Sequence, residues 1–333
     1  MAAGGQPDVG DVHVDAALSN ISVAHQNKLT SYVADLVFPM VNVDKQSDFY
    51  WNYTRGDFFA DEGDRMLRAP GTRAPVTGFA VGTAAYHCLN YAIGMEIPDE
   101  LRGNADSVFN LDADATKLVT EIQAIRRERA FAADFMAGSV WTGGTSGTDV
   151  DVTDGSHGGA KWNDYALSDP FGDIALEIDT VESYTGMTPN VAVGGAIVWR
   201  RLKNHPDFLA RISGGATTGN PAMLTKEQMA SMLEIEKFLV GRALYRSTNE
   251  GATVTLTRII DDDLLLLYVP ASPGRLTPAG GYTFNWAGVA GGAQFIRRYR
   301  LEPEKTDVIE AFSYFDQKCV EPYAGAFFSN VVD

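Results

Sequence analysis

Apolar and polar residues alternate in two segments of the N-terminal part of the chain. Phe49, Trp51 and Tyr53 alternate with polar neighbours, and the alternation resumes at Phe79 and Val81. A period of two residues is typical of a strand with one apolar face. The residues in between are rich in charges and turn formers, so the pattern predicts a long hairpin with a wide, charged tip. Because a two-stranded hairpin alone is marginal in water, we expect it to pack on its own chain or on a neighbouring one.

The period changes to that of a helix between residues 110 and 138. Asp112 and Asp114 suit the start of this helix as cap and first-turn anion, and Gly138 suits its end. The stripe predicted to be buried consists of Leu118, Ile122, Ile125, Ala132, Phe135 and Met136. At about 24 residues the helix would be about 36 Å long, well above the usual length, which predicts a structural backbone.

Shorter elements are predicted along the rest of the chain. One helix starts after Asp169, one runs through Trp199, and one starts after Thr225. Strands are predicted at residues 191–193, 254–260, 264–269, 282–286, 295–301, 309–315 and 327–332. Because helices and strands are interspersed without regular βαβ units, the predicted fold class is α+β.

Three stretches lack a regular pattern. Residues 1–17 are small, polar and acidic, which predicts a loose arm. Residues 18–43 hold short apolar groups, such as Ile21 and Val23, that need something to lie on. Residues 143–159 are mostly Gly, Thr, Ser and Asp with few side chains to bury, which predicts a surface loop.

Composition and charge narrow the class of protein. Of the 333 residues, 45% are hydrophobic and 21% are charged, as in ordinary globular proteins. The 43 acidic and 27 basic residues give a net charge of −16, which opposes binding to a phosphate backbone. Apolar runs such as residues 264–267 are too short to span a membrane, and no Lys or Arg precedes Lys28 as a secretory signal requires. We therefore expect a cytosolic protein that is not a dedicated nucleic-acid binder.

The acidic residues of the Gly-rich stretch come close to a calcium-binding pattern without matching it. Asp149, Asp151 and Asp154 resemble the start of a calcium loop. However, Gly155 comes one place late, and Ala160 stands where the bidentate Glu should be. Phosphate-loop, nucleophile-elbow and zinc-protease motifs are absent from the sequence. We therefore predict no metal site and no catalytic motif.

The remaining candidate residues have simpler structural interpretations. The triplet 261–263 could bind a cation, but a turn before the apolar strand explains it more simply. Cys88 and Cys319 are interpreted as reduced core thiols, and Trp199 and Trp286 as core residues. The histidines occur singly in the sequence: His13, His25, His87, His157 and His205. The sequence predicts no catalytic residue and no cofactor, so we do not expect an enzyme.

Several segments, taken in order, resemble the major capsid proteins of tailed double-stranded DNA bacteriophages. LSNISVAHQNKLTSYVADLVFPMVNVDKQSDFYWNYTRGDFF, at residues 18–59, is similar to that family's N-terminal arm entering its extended loop. The further segments are RAPGTRAP at 68–75, the return strand at 86–98, VGGAIVWRRLKNHPDFLARI at 193–212, KFLVGRALYRS at 237–247, GYTFNWAG at 281–288 and DQKCVEPYAGAFFSNVV at 316–332. None is a catalytic signature, so the resemblance rests on their order along most of the chain.

The resemblance implies a phage major capsid fold with defined parts. These would be an N-terminal arm at 1–44, an extended β-hairpin loop at 45–98, a peripheral domain with the long spine helix at 99–189, an axial domain at 190–300, and a return to the peripheral domain at 301–333. It also implies a function: self-assembly through pentamers and hexamers into an icosahedral shell around the double-stranded DNA of a tailed phage. The protein would then belong to the virion capsid and assemble in the host cytoplasm.

The resemblance also implies partners. They are further copies of the chain, a separate scaffolding protein because little chain precedes the matching segments, a portal at one vertex, a decoration protein, and packaged DNA held by weak, unspecific contacts. In some family members, a lysine on the extended loop forms a covalent isopeptide bond with an asparagine of a neighbouring subunit. No Lys lies between Lys45 and Lys117 here, which predicts a noncovalent shell.

The charged hairpin tip is the candidate for contacts between subunits. We expect intersubunit ion pairs from Arg55, Asp57, Asp61, Glu62, Asp64, Arg65, Arg68 and Arg73, in contrast to a merely solvated tip. The nearest rival function is the shell of a bacterial nanocompartment, which has the same fold and encloses cargo enzymes. Two more distant candidates are a carboxylate-based enzyme and a small-ligand or sugar-binding module that uses Trp199 or Trp286.

Overall fold

The computed structural model describes residues 27–53, 55–105, 110–145, 149–155, 157–213, 224–249, 251–274, 277–288 and 294–333. For Arg55 and Ser213 it describes the backbone alone. The predicted loose arm at residues 1–17 lies outside this part of the chain, as do Ile21 and Val23.

Helices and strands alternate irregularly along the described residues, which confirms the predicted α+β class. The helices are α1 (Ala34–Val37), α2 (Arg55–Phe58), α3 (Asp99–Asn104), α4 (Leu111–Phe135), α5 (Pro170–Thr185), α6 (Ala196–Lys203), α7 (Pro206–Ser213) and α8 (Lys226–Met232). The strands are β1 (Met40–Val43), β2 (Ser47–Tyr53), β3 (Val81–His87), β4 (Leu89–Pro98), β5 (Val191–Gly195), β6 (Lys237–Gly241), β7 (Leu244–Arg246), β8 (Leu256–Arg258), β9 (Leu264–Leu267), β10 (Gly281–Trp286), β11 (Phe295–Leu301), β12 (Thr306–Cys319) and β13 (Gly325–Phe328). No described helix is both long and apolar enough to cross a membrane.

The longest strand, β12, is the centre of a five-stranded sheet. One edge of β12 pairs antiparallel with β4 over ten residues, from Leu89 to Pro98. The other edge pairs first with β11 and then with β10, and β1 adds to β10 in parallel. Segments that are far apart in the sequence therefore meet on one strand.

A second sheet has four strands in the order β13, β9, β5, β6 and is buried on both faces. Leu264 and Leu266 of β9 pack into the cluster that contains the apolar residues of α5 to α8. Leu265 and Leu267 point to the opposite face and pack with α1 and the end of α4. This two-sided burial explains why the strand is a continuous apolar run in the sequence.

The hairpin predicted from the aromatic alternation is present and continues into the main sheet. β2 and β3 pair antiparallel from Ser47 and His87 to Tyr53 and Val81. Only Cys88 separates β3 from β4, and its side chain is fully buried. Because β4 is bound to β12 along its whole length, the hairpin extends from the edge of the five-stranded sheet.

The long helix α4 packs against both sheets. It has 25 residues, and its N-cap is Asn110, whose side chain accepts a hydrogen bond from the Ala113 N–H. Near its start Val119 packs with Ile309 of β12, and near its end Phe131 lies in the core below the four-stranded sheet. A rigid rod of this length therefore ties the two sheets into one body.

The predicted buried stripe of α4 is wrong in its first half. Leu118 is 49% exposed, whereas Val119, one position later, is buried. Gln123 and Glu128 also lie on the buried side, where they bind backbone groups of neighbouring segments. The prediction counted large apolar residues alone, so it missed the polar members of the stripe and the buried Ala115 and Val119 at its start. It also assigned the cap to Asp112, which lies in the first turn instead.

Local signals at the helix ends were predicted correctly. Asp169 caps α5, which ends at Gly186 in the left-handed conformation with a φ of 68°. Thr225 and Gln228 form a reciprocal capping box at the start of α8. In contrast, α7, β1, β6 and β7 were not predicted, because they are short and lack comparable signals.

Strand pairing does not follow the predicted order of domains along the chain. β4 from the predicted extended loop joins β10 and β11 from the predicted axial domain in the sheet around β12. β13, from the predicted C-terminal return, pairs with β9 in the four-stranded sheet. The domain boundaries stay predictions, and the two sheets draw on segments from several of the predicted parts.

Candidate intersubunit surfaces

The aromatic face of the hairpin points to solvent. Phe49 is 67% exposed and Trp51 is 65% exposed, although both lie on the face that the alternation marks as apolar. The opposite face of β2 is the packed one, because Tyr50 stacks on Phe284 of β10 at a centroid distance of 5.4 Å. Burying one large aromatic side chain contributes about 1.5–3 kcal/mol. In the single chain, Phe49 and Trp51 do not contribute this free energy, because both stay exposed.

Further apolar side chains extend this exposed surface toward the tip of the hairpin. We call the set the hairpin apolar surface; its members are Phe49, Trp51, Phe58, Phe59, Met66, Leu67, Val76, Phe79 and Val81. Leu67 is the most exposed of them, at 85%. A contiguous segment with so many exposed large apolar residues is typical of a protein interface.

Four of the predicted interface ions make contacts within their own hairpin. The Ala80 N–H donates to Asp57 at 2.7 Å, and the Gly63 N–H donates to Asp61 at 2.9 Å. Arg65 and Glu62 form an ion pair at 2.6 Å, and this pair is exposed. These groups help to shape the tip, so their presence alone does not require a second subunit.

The other residues predicted to form intersubunit ion pairs are Asp64, Arg68, Arg73 and Arg55. Asp64, Arg68 and Arg73 are exposed at the tip, and the side chain of Arg55 lies outside the described residues. No Asp or Glu occurs between Arg65 and Glu96 in the sequence, so the far part of the tip carries positive charge on a chain whose net charge is −16.

An apolar groove lies between the hairpin and the body of the protein. Its volume is about 710 Å³, and its walls include Tyr50 and Phe58 from the hairpin side. Met187, Pro278 and Tyr282 line it from the body. At the far end of the groove, Phe59 of the hairpin lies beside Gly186 at the end of α5.

Two glutamates of α4 hold the segment that leads out of the described structure at residue 27. Glu121 accepts hydrogen bonds from the Asn27 N–H at 3.2 Å and the Tyr32 O–H at 2.6 Å. Glu128, two turns later and only 1% exposed, accepts the N–H groups of Val33 and Ala34 at 2.9–3.0 Å. We call these contacts the arm clasp. It fixes residues 27–34 against α4.

An ion-pair network stabilises the body near the start of α4. Arg102 of α3 binds Asp112 of α4 through two N–H groups at 2.9 and 2.8 Å, and it also contacts Asp307 of β12 at 3.1 Å. Arg298 of β11 reaches the same Asp307 at 2.5 Å. The hydrogen bond from Arg298 lowers the pKa of Asp307, so this carboxyl stays charged in mild acid. The network joins two helices and two strands at one point.

The near-miss calcium residues serve local hydrogen bonds. Asp149 accepts the Ser139 N–H at 2.9 Å, and Asp151 accepts the N–H and O–H of Thr153. Asp263 of the acidic triplet accepts the Asn330 N–H at 2.8 Å, and burial raises its pKa to about 6. Within the described ranges no group of three His, Cys, Asp or Glu side chains is arranged to hold a metal ion.

The thiols and tryptophans singled out in the sequence are packing residues. Burial raises the pKa of Cys88 to about 11 and that of Cys319 to about 12, so neither forms a thiolate readily at neutral pH. Trp199 is buried in the core of the four-stranded sheet. Trp286 packs against Tyr314 and donates its indole N–H to the Asp44 carbonyl at 3.0 Å.

Sequence reasoning missed the arm clasp and the inward role of Glu128. A glutamate in a helix of many charged residues is normally a solvent-facing group, and the donors it meets are backbone N–H groups without a sequence signal. The spacing of Glu121 and Glu128 on one helix face was the available clue.

Two curated proteins are similar to this chain over most of its length, although no family model matches it. The major capsid protein of Burkholderia phage BcepMu is 23% identical over 323 residues, which cover 96% of each protein. The major capsid protein of Pseudomonas phage JBD67 is 26% identical over 249 residues, which cover 74% of each. The resemblance to phage major capsid proteins is therefore confirmed.

Solved structures share the fold. A phage-related protein from Bordetella bronchiseptica RB50 matches with a TM-score of 0.65 at 19% identity, covering 96% of this chain and 97% of that one. The capsid of cyanophage P-SCSP1u matches with a TM-score of 0.59 at 10% identity, covering 98% and 96%. An encapsulin complex from Synechococcus elongatus PCC 7942 matches with a TM-score of 0.53 at 12% identity, covering 96% of each chain. The chain thus has the predicted phage major capsid fold, which encapsulins share.

The buried Glu128 carboxyl predicts a specific pH dependence. Burial raises its pKa from 4.5 to about 7, although the N–H groups of Ala34 and Val33 lower it. The folded state therefore binds this proton more tightly than the unfolded state. The free energy of unfolding should fall as the pH rises from about 4.5 to about 7, by up to about 3 kcal/mol from this group.

Urea unfolding of the purified subunit across this pH range measures the effect. Glu128→Gln cannot titrate, so its free energy of unfolding should change less across the range than that of the wild type. Glu121→Gln is the matched control, because Glu121 binds the same segment from the same helix. Equal pH dependence in the wild type and in Glu128→Gln would contradict the assignment.

Proposed function

We propose that this chain is the major capsid protein of a tailed phage. It assembles through pentamers and hexamers into an icosahedral shell that encloses double-stranded DNA. The fold and the two curated phage relatives support this function. Those relatives are named for a structural role, which supports a structural rather than an enzymatic role here.

The exposed hairpin apolar surface is the observation that carries the proposal. A protein that acts as a monomer gains nothing from holding Phe49 and Trp51 in water on a strand of aromatic residues. A second copy that covers this face would bury it. We propose that a different surface of the second copy covers the hairpin face of the first. Such a contact is heterologous, and it closes into rings when the rotation between copies allows.

A nanocompartment shell is the second candidate. The encapsulin likeness favours it at the level of the fold. Both curated relatives are phage proteins, and they favour the capsid. The contents of purified particles distinguish the two functions, because a capsid filled in infected cells contains DNA and a nanocompartment contains enzymes.

The partners beyond further copies of the chain stay predictions. They are the scaffolding protein, the portal, the decoration protein and the packaged DNA, together with assembly in the host cytoplasm. The net charge of −16 supports a shell wall that touches DNA weakly and without sequence preference.

Replacing the exposed aromatic residues tests the proposed function. Phe49→Ser with Trp51→Ser should leave the free energy of unfolding of the isolated subunit within about 0.5 kcal/mol of the wild type. The same change should raise the concentration needed for assembly more than about tenfold, because each buried aromatic contributes about 1.5–3 kcal/mol. Sedimentation and electron microscopy of expressed particles measure assembly. Leu167→Ser, at another exposed apolar residue, is the control. Normal assembly of the double variant would refute the proposal.

The exposed tip arginines are proposed to pair with acidic residues of a neighbouring subunit. Arg68→Glu should raise the concentration needed for assembly severalfold, because each exposed pair is worth about 0–1 kcal/mol and is repeated around the shell. The effect should shrink at high salt. Lys117→Glu makes the same charge change on an exposed helix position and is the matched control. If both variants assemble alike, the arginines are merely solvated.

The shell is proposed to be noncovalent. The extended loop has no lysine between Lys45 and Lys117 to form an amide bond with a neighbour. Particles boiled in detergent should therefore run as single chains on a gel. A ladder of linked subunits would contradict this.

A further inference from the structure

The side chain of His157 is buried between two carboxylates. It is 1% exposed, with Nδ1 at 3.0 Å from Asp154 and Nε2 at 2.8 Å from Glu177 of α5. Glu177 is itself fully buried and also accepts the N–H and O–H of Thr145. A single histidine in a Gly-rich stretch thus has both ring nitrogens bound to acids, which its isolated position in the sequence did not indicate.

A second carboxylate on the same face of α5 binds the same stretch of chain. Asp173, one turn before Glu177, is buried and accepts the Gly158 N–H and the Trp162 indole N–H, each at 2.8 Å. We call residues 149–155 and 157–162 the strap. Two acids of one helix therefore hold the strap through its backbone, an indole and an imidazole.

The strap carries core residues despite its polar sequence. Val150, Val152 and Trp162 are buried in the core of the four-stranded sheet. The Val150 N–H donates to the Phe327 carbonyl at 2.7 Å, and the Trp162 N–H donates to the Val331 carbonyl at 2.8 Å. The prediction of a surface loop at residues 143–159 was therefore wrong for Val150 and Val152. The strap closes over the edge of the sheet formed by β13.

Two carboxylate bonds require a charged ring. A neutral imidazole has one N–H donor and one lone pair, so one ring nitrogen would face a carboxylate oxygen with no proton between them. The ionisable groups around the ring are Asp151 and Asp154 of the strap and Asp173 and Glu177 of α5. At the end of the strap, Lys161 pairs with Asp333 at 2.6 Å. The ring therefore lies among acids and is their counter-charge inside the protein.

We propose that His157 is the charged pin of a pH-sensitive latch that fastens the strap to α5. With the ring protonated, Asp154, His157 and Glu177 form one hydrogen-bonded chain across the two elements. Loss of the ring proton breaks one of the two bonds and leaves a carboxylate oxygen of Asp154 or Glu177 facing a ring lone pair. The strap then loosens, and the β13 edge of the sheet opens to water.

The sign of the pH dependence follows from the ring's surroundings. Burial lowers the pKa of His157, but the hydrogen bonds that the ring donates to Asp154 and Glu177 and the charges of these two groups raise it more, so it lies above the usual 6.5. A raised pKa means that the latch stabilises the closed strap fully below about pH 6.5. This stabilisation is lost as the pH rises through the pKa of His157 in the folded state. The strap should therefore be closed below about pH 6.5 and should open as the pH rises through the folded pKa of His157.

Two measurements on the purified full chain test the latch. Nitrogen NMR of the histidine rings should show both nitrogens of His157 protonated below about pH 6.5, with the proton lost at a higher pH than in the unfolded chain. Hydrogen exchange, corrected for the intrinsic rate, should show that strap amides become less protected once the ring is neutral. The protection should fall about tenfold for each unit by which the folded pKa of His157 exceeds its unfolded value. Peptides from α4 should keep their protection over the same range.

Variants separate the latch from general alkaline unfolding. In His157→Gln the strap should be weakly protected at all pH values, because a neutral amide cannot replace the charge. His87→Gln, at an exposed histidine, is the matched control and should behave as the wild type. If His157→Gln fails to fold, the NMR titration of the wild type still decides. A His157 ring that is neutral below about pH 6.5, or strap protection that stays constant while the ring loses its proton, would overturn the proposal.

Discussion

Pairing on both edges of β12 is the constraint on which the rest of the fold depends. One edge holds β4 over ten residues, and the other holds β11 and β10, so the strand cannot shift without breaking two ladders. β4 runs almost directly into β3 through the buried Cys88. The hairpin is therefore fixed at its base, and an apolar groove lies between it and the body of the protein. Phe49 and Trp51 on the hairpin stay largely exposed in the single chain.

The same body also fixes the arm. α4 packs on the five-stranded sheet through Val119 and on the four-stranded sheet through Phe131. Its two inward glutamates then bind the backbone near residues 27–34. One rigid centre thus holds both the base of the hairpin and residues 27–34. This division suits a shell, in which one chemical subunit must meet neighbours in rings of different size while its core stays unchanged.

Local signals in the sequence predicted the elements that they control. Asp169 and Gly186 mark the ends of α5, and the aromatic alternation marks the hairpin. Contacts between distant residues left no such signal. The sequence pattern wrongly predicted that Leu118 is buried. It gave no sign that Glu128 is buried or that His157 is bound by two carboxylates. In each case the partner lies on another element, and burial of a polar group depends on that partner. The alternation also could not tell that the apolar face of β2 would be the exposed one.

The central claim is that a second copy of this chain covers the exposed face of the hairpin. Oxidative footprinting of Trp51, read by mass spectrometry in free subunits and in assembled particles, tests it most directly. We predict that Trp51 is oxidised readily in the free subunit and is strongly protected in the particle, while the exposed Leu167 changes little. Equal oxidation of Trp51 in both forms would show that the face stays in water after assembly and would contradict the claim.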